Sequence, residues 1–441
     1  MYFVSEKTQK ETEAVELIKN DVVIATVGSW PKNPASIVGK TIRVPLEAEG
    51  SLLNQNAVRL RAPDGEDFDQ IFLYYLLKDK KFSDYIVSTA QGSANQASIT
   101  LKDIYGYSFD YPPDTERRKI SEILDSLDNK IQLNRETNKT LEAMAQALFK
   151  SWFVDFDPVI DNALAAGNDI PEPLQARAAA RKARAAESSS ANTAAQNNPT
   201  ALAGLPKAQR ELFPSEFEET DLSNFAASAG GWVPKGWDMN TVGDVIENVG
   251  GGTPKTKEDA YWVGGTHPFC TPKDMSSLSS KVLLGTERKL TDSGVAKVSS
   301  GILPEGVVLM SSRAPIGYLA ISKTPVTVNQ GIIVMKPNDK YSSEFLISWA
   351  EANMEEVISR ANGSTFLEIS KKIFRDIPFL EPSDLACSNY SNIAGDYFKK
   401  ITLLQQETDQ LIKLRDTLLP KLISGELRLP EAEQQTELLT K

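Results

Sequence analysis

A long amphipathic segment occurs twice in this chain at a constant spacing, and that repetition limits the fold more than any other feature. Ile131, Leu133, Leu141 and Leu148 recur as Ile401, Leu403, Leu411 and Leu418 (401 − 131 = 270; 418 − 148 = 270), with Leu414 opposite Met144. A constant offset without gaps marks an internal repeat. What precedes each segment repeats more loosely. Val22-Val23-Ile24 echoes Val307-Val308-Leu309, Asn54-Gln55-Asn56 echoes Asn329-Gln330-Gly331, Gln91-Gly92-Ser93 echoes Asn362-Gly363-Ser364, and Ile99-Thr100 echoes Ile369-Ser370. The plan is globule, long helix, globule, long helix.

Along the first copy, Leu124, Leu127, Ile131, Asn134, Asn138, Leu141, Ala145 and Leu148 alternate three and four apart. This is a heptad seam, with Asn134 and Asn138 as polar interruptions of the kind that fix register. The second copy reads Ile401, Leu404, Thr408, Leu411, Arg415, Leu418 and Leu422, in the same phase and with its own polar centre. Two helices with equivalent seams are natural partners; the plainer alternative is that each packs only on its own globule. Pro112-Pro113 closes the first globule and Asp114 is a good start for the first helix, whereas Pro420 is expected to kink or end the second and Gly425 to close it. The polar residues after that are expected to fray.

The 441 residues are 41% hydrophobic and 24% charged, enough to bury a sizeable core. No apolar run approaches the roughly 20 residues of a membrane span, and no export signal follows Met1, so the cytoplasm is the expected location. Cys270 and Cys387 make no disulfide framework, and His267, the single histidine, would with Cys270 still lack two further zinc ligands. No histidine-based triad can be assembled without it. A net charge of −11 argues mildly against a protein that grips nucleic acid unaided, because phosphate contacts need clustered Lys and Arg. It does not exclude a reader whose partners share the electrostatics.

In the first globule Asp21 to Val27 reads as a buried strand that ends at Gly28 and delivers Trp30 and Lys32 on a loop, polar and aromatic residues suited to ligand contact. An ordinary solvated loop is the alternative. Asp69 to Val87 has the spacing of a helix or helix pair. Gln91, Gly92 and Ser93 open a short polar stretch where glycine lets backbone approach a ligand and amides can pair with base edges. In the second globule Gly306 to Met310 reads as the core strand, delivering Ser311, Ser312 and Arg313 into a loop. Arg313 suits a guanine edge, a phosphate or a carboxylate of its own globule equally. The candidate contact residues are Trp30, Lys32, Asn54, Gln55, Gln91, Gly92 and Ser93, then Thr271, Lys273, Ser312, Arg313, Asn329, Gln330, Gly363 and Ser364. The Asn-Gln pairs are equally suited to holding their loops in shape. Between the globules, Ala176 to Ala186, with Arg177, Arg181, Lys182 and Arg184, reads as a helix with a solvated basic face, and Ser188 to Pro199 as flexible linker. The run Gly250-Gly251-Gly252 is no phosphate loop, since neither GxxxxGK[ST] nor GxGxxG occurs.

Several stretches resemble the specificity (S) subunits of type I restriction-modification systems. They include Trp232-Val233-Pro234-Lys235-Gly236-Trp237, Gly252-Thr253-Pro254-Lys255-Thr256, Tyr261-Trp262-Val263-Gly264-Gly265, Ser311-Ser312-Arg313-Ala314-Pro315-Ile316-Gly317 and Asn329-Gln330-Gly331. Glu142 to Phe156 and Lys421-Leu422-Ile423-Ser424-Gly425-Glu426-Leu427 belong to the same pattern. The resemblance implies an α+β fold: two similar target recognition domains separated by two long helices that form an antiparallel coiled coil, in a pseudo-two-fold internal repeat. It implies a first recognition domain at 1–112, incomplete at its N-terminal side, a spacer helix at 113–157, an insert or linker at 158–231, a second recognition domain at 232–382, a second spacer helix at 383–428 and a tail at 429–441.

The resemblance further implies that each recognition domain reads one half of a bipartite double-stranded DNA target while the coiled coil sets the spacing. Two modification (M) subunits would dock to make an adenine-N6 methyltransferase, and restriction (R) subunits would add cleavage for phage defence. S-adenosylmethionine, ATP and Mg²⁺ would sit on those partners, leaving this chain without catalysis, cofactor or metal. Tyr2 stands opposite Glu287, so the first globule lacks a counterpart to residues 231–286, expected to reflect a truncated or late-assigned start. Two other readings stay open: a truncated or orphan scaffold that binds modification subunits without full recognition, and a stand-alone DNA-modifying enzyme. Against the latter, Asp110-Tyr111-Pro112-Pro113-Asp114 does not fit the Asn/Asp-Pro-Pro-aromatic pattern of an adenine methyltransferase.

Overall fold

β-Branched runs set the central strands. The computed structural model describes residues 15–30, 36–62, 66–93, 96–190, 207–220, 229–313, 315–363 and 367–440. The first strands are β1 (Val22–Ala25), β2 (Val27–Gly28), β3 (Thr41–Arg43) and β4 (Ala57–Leu60). α1 (Asp67–Lys78), α2 (Lys80–Thr89), β5 (Gln91–Ser93), β6 (Gln96–Ser98) and α3 (Leu101–Tyr105) precede the 40-residue α4 (Asp114–Phe153). α5 (Asp157–Ala166), α6 (Glu172–Ser190) and α7 (Lys207–Arg210) lead to β7 (Phe217–Glu219), β8 (Trp232–Pro234), β9 (Asp238–Thr241), α8 (Val242–Val245) and β10 (Asn248–Gly250). Next come β11 (His267–Cys270), α9 (Pro272–Ser276), β12 (Val282–Leu283), β13 (Arg288–Leu290), α10 (Asp292–Val295), β14 (Val308–Ser312), β15 (Ile316–Ser322), β16 (Thr327–Val328) and β17 (Ile332–Met335). α11 (Ser343–Ala352), α12 (Met354–Ser359), α13 (Lys371–Arg375) and β18 (Pro378–Glu381) precede the second 40-residue helix, α14 (Asp384–Ile423), and α15 (Leu429–Thr440).

The chain divides into two units, one made of residues up to Leu133 together with those from Glu407 onward, the other of Asn134–Gln406. Each long helix therefore contributes to both.

In the first unit β1 lies between β3 and β4, antiparallel to each. Its Val22 and Ile24 are buried against Leu77, Phe82 and Ile86 of α1 and α2. The other face of α1 buries Phe72, Tyr75 and Leu76 against Ile120, Leu124, Leu127 and Ile131 of α4 and Leu411, Leu418 and Leu422 of α14. Each such side chain contributes about 1.5–3 kcal/mol on burial. The helices run antiparallel here, since Asp128 meets Arg415 while Lys130 meets Glu407. The tail expected to fray is instead α15, with Ala432 buried in this core. Pro420 does not end α14 either. It sits exposed within the helix, which runs on to Ile423 before Gly425 turns at φ +67°.

In the second unit a five-stranded sheet runs β10-β17-β14-β15-β12, with every residue of β14 buried. Smaller sheets join β11 to β13 and β16, β18 to β9, and β7 to β8. As β1 lies antiparallel to β3 and β4, so β14 lies antiparallel to β15 and β17, and this unit adds β10 and β12 at the flanks. Phe149, Trp152 and Phe153 of α4, Tyr390 of α14 and Phe345 of α11 form an aromatic centre, where the Tyr390 hydroxyl donates to Ala145 O (3.2 Å) and its oxygen shares a hydrogen bond with the Ser348 hydroxyl (2.7 Å).

The 158–231 stretch, expected to be an insert or linker and partly flexible, is folded into this core where it is described. Val159, Ile160 and Ala163 of α5, Leu174 and Ala178 of α6, and Phe213 are all buried there. The basic face of α6 is likewise not simply solvated. Arg177 Nε lies 2.6 Å from Asp157 Oδ1, and Arg181 Nη2 lies 2.5 Å from Asp161 Oδ2. Arginines one turn apart on α6 meet aspartates one turn apart on α5, which neutralises the buried Asp157.

Of the seam residues, Leu124, Leu127, Ile131, Asn138, Ile401, Leu404, Thr408, Leu411 and Leu418 are buried, and Leu141 and Leu148 partly so. Leu133 and Leu403, which also repeat, lie off the seam and are 57% and 54% exposed.

Candidate nucleic-acid interface

The same local design follows the central strand in both units. Ile99 N–H donates to Thr26 O (2.9 Å), and Ile369 N–H donates to Ser312 O (3.0 Å). The next residue, Thr100 or Ser370, caps a short helix: each side-chain oxygen accepts a backbone N–H three residues on, from Asp103 and from Ile373, both at 3.3 Å. Ahead of each isoleucine stands a narrow antiparallel ladder. In the first unit it is β5 against β6; in the second, Asn362 and Glu368 exchange backbone bonds of 3.0 and 2.9 Å. Gly92 and Gly363 occupy matching places at φ +158° and +147°. A Cβ on Gly92 would stand 1.9 Å from Gln96 O, so the ladder closes only over glycine.

In the first unit Gln91, Gly92 and Ser93 are all exposed on β5. Trp30, half-buried, donates its indole N–H to Ser93 O (2.6 Å) and so braces the hairpin that carries them. Asn54 Oδ1 accepts Asn56 N–H (2.8 Å) and shapes its turn, while Gln55 is exposed on that turn. Lys32 and Ser364 lie outside the described residues.

In the second unit Ser312 departs from expectation. β14 extends through it and buries it to 2% exposure, so it closes the strand rather than facing a ligand. Arg313, next along, is half-exposed with Nη1 3.7 Å from Glu368 Oε2: of its three possible partners, the carboxylate is the one in place. Asn329 Oδ1 accepts Gly331 N–H (2.9 Å), and Gln330 Oε1 accepts Thr253 Oγ1–H (2.5 Å). Thr271 stands at the N-terminal cap of α9, its backbone N–H (2.9 Å) and hydroxyl (2.6 Å) both donating to Asp274 Oδ2, and its neighbour Cys270 O accepts Asn329 N–H (3.0 Å). Lys273, fully exposed, pairs with Glu287 at 2.8 Å, which holds its ammonium above the ordinary value. Such a pair is weak in water, so the lysine is easily released to an anion.

Arg313, Asn329 and Gln330 thus come together, with Thr253 and Glu368 as members that residue-type reasoning missed. Lys371 packs on the start of the glycine run, its Nζ 3.2 Å from where a Cβ on Gly250 would stand. The glycine run before Thr253 was the available signal. The two clusters present hydroxyls, amides and open backbone with a few cations, a chemistry of hydrogen-bond reading. Among the described residues no group of three or more His, Cys, Asp or Glu could hold a metal ion, and no helix is long and apolar enough to cross a membrane.

The chain thus carries one hairpin design in each of its two units, and comparison with known proteins identifies its family. Residues 3–143 and 234–411 match the type I restriction modification DNA specificity domain. The chain is 31% identical over 361 residues to the type I restriction enzyme HindI specificity subunit of Haemophilus influenzae, covering 81% of this chain and 77% of that one. It is 38% identical over 171 residues to the MjaIX specificity subunit of Methanocaldococcus jannaschii, covering 38% of each. A solved type I restriction-modification S subunit from M. genitalium is similar at TM-score 0.45 and 14% identity, over 92% of this chain and 84% of that one. The chain belongs to the type I restriction-modification specificity subunits.

Proposed function

We propose that this chain reads a bipartite double-stranded DNA target for a type I restriction-modification complex, one half with each hairpin-bearing globule. The paired long helices set the distance between the halves and carry two modification subunits, which restriction subunits then join. The observation that supports this most is the repeated hairpin, with Gly92 and Gly363 in the same backbone conformation ahead of the same strand-closing isoleucine and capped helix. Forty residues of helix span about 60 Å and one duplex turn is about 34 Å, a length suited to readers one or two turns apart. On this reading the chain has no active site of its own, and S-adenosylmethionine, ATP and Mg²⁺ act on the partner subunits.

The test is co-expression with cognate modification subunits and genome-wide mapping of N6-methyladenine. The expected result is methylation at one bipartite motif. A stable complex that methylates no such motif would reject the reader and leave the scaffold reading, and turnover by the purified chain with S-adenosylmethionine or Mg²⁺ alone would reject both.

A further inference from the structure

In the second unit the loop that leaves β10 packs on β11 and β13, and the charge there has the opposite sign to that of the whole chain. Residues 255–297 hold seven Lys and Arg against five Asp and Glu, within a chain of net charge −11. Of the seven cations, Lys273 and Lys281 pair with Glu287 and Glu351. Lys255, Lys257, Arg288, Lys289 and Lys297 are all exposed, and none has a carboxylate partner among the described residues. A cation left unpaired by its own protein is available to an external anion.

Arg288 is also held in place. Its guanidinium carbon lies 3.5 Å from the centre of the Trp262 ring. Trp262 is fixed in turn from two other sides: its indole N–H donates to Lys255 O (3.0 Å), and its ring meets Phe269 of β11 edge-on, centroids 5.3 Å apart. The turn that follows closes directly on β13, since a Cβ on Gly265 would stand 2.6 Å from Lys289 O. A guanidinium stacked on an indole keeps its N–H edge free, and that edge forks onto a phosphate. The stack also orders the side chain before any ligand arrives, which lowers the entropy lost on binding.

The same loop joins this cation to the hydrogen-bonding cluster. Thr253, whose hydroxyl meets Gln330, stands two residues ahead of Lys255, and a Cβ on the neighbouring Gly252 would stand 3.9 Å from Lys297 O.

We propose that Arg288, stacked on Trp262, grips a backbone phosphate of double-stranded DNA beside the half-site of the second globule. It fixes the duplex in register without regard to sequence, while the amides and hydroxyls around Gln330 are left to the bases.

The inference rests on the DNA reading proposed above, so the test uses this chain in complex with its modification subunits. Fluorescein-labelled duplexes carrying the methylated motif or a scrambled sequence are titrated by anisotropy over a range of KCl concentrations. Arg288→Gln should weaken binding roughly tenfold at about 0.1 M salt, alike for both duplexes. The slope of log affinity against log salt should become shallower by about 0.9, the share of one phosphate. Arg288→Lys should keep the slope and lose part of the affinity, because it retains the charge without the fork. A slope for Arg288→Gln equal to that of wild type, or a loss confined to one base position, would overturn the inference. Wild-type binding without preference for any motif would reject the reader instead, and a shallower slope for Arg288→Gln would then still support the phosphate contact. No binding by the wild-type complex would reject both.

Discussion

Arg415 and Asp128 face each other across the helix pair of the first unit, Nη1 2.6 Å from Oδ1, with side chains only 14% and 17% exposed. Asp128 also accepts the Tyr75 hydroxyl (2.9 Å) and lies 3.7 Å from Lys78 Nζ. Arg415 sits where the heptad seam would place an apolar contact, so its charge depends on Asp128 beside it. Arg415→Ala should cost about 2–3 kcal/mol in urea unfolding, less than the ~3–5 kcal/mol of a fully buried broken pair because Lys78 remains. A loss below about 0.5 kcal/mol would show that solvent screens the pair.

The same carboxylate predicts how acid acts. Burial alone would raise its pKa, but Lys78, Arg415 and Tyr75 together hold Asp128 below the ordinary carboxylate value. A depressed folded value stabilises the protein above the unfolded value of about 3.9, and the contribution is lost as pH falls through the folded one. Wild type should therefore exceed Asp128→Asn in melting temperature at neutral pH, and the gap should close below about pH 4. Parallel curves across that range would refute the assignment.

Asn138 is buried to 1% exposure, and its Oδ1 has no hydrogen-bond partner. A lone buried acceptor costs roughly 1–3 kcal/mol, so Asn138→Leu should raise the melting temperature. Polar residues on a heptad seam are of the kind that fix register, so under the proposed function the variant should also loosen the spacing of the methylated motif. An unchanged melting temperature together with unchanged spacing would count against both roles.

Gly92→Ala would force a Cβ to 1.9 Å from Gln96 O and open the β5–β6 ladder. The hairpin is exposed, so the fold should survive with a loss of about 1 kcal/mol, whereas discrimination at one half of the DNA target should fall. Gel shifts against targets altered in either half would check this, and equal weakening for both halves would exclude a local reading role.

The periodic and repeated features were legible in sequence: the helix pair, the central strands and the twin glycine hairpins all leave offsets that survive without coordinates. The errors have physical causes. α6 is expected as a helix but with a solvated basic face, because the match of Arg177 and Arg181 to Asp157 and Asp161 appears only once α5 and α6 are laid side by side. Ser312 was assigned to a loop because serine is polar, yet β14 carries it inward by one more residue. Pro420 does not end α14, although its missing N–H leaves residue 416 without that partner: it lies on the exposed face, and the helix runs on to Ile423. Thr253 and Glu368 reach the site from distant parts of the chain, and no local pattern ties them together.

The division of the long helices between units bears on the order in which the protein can mature. The second unit is one unbroken stretch, Asn134–Gln406, and can close once that stretch has left the ribosome. The first unit is assembled from both sides of it, and its core waits for Leu411, Leu418, Leu422 and Ala432. The globule translated first is thus the last to be completed, and until then Phe72, Leu124 and Leu127 are left for chaperones to shield.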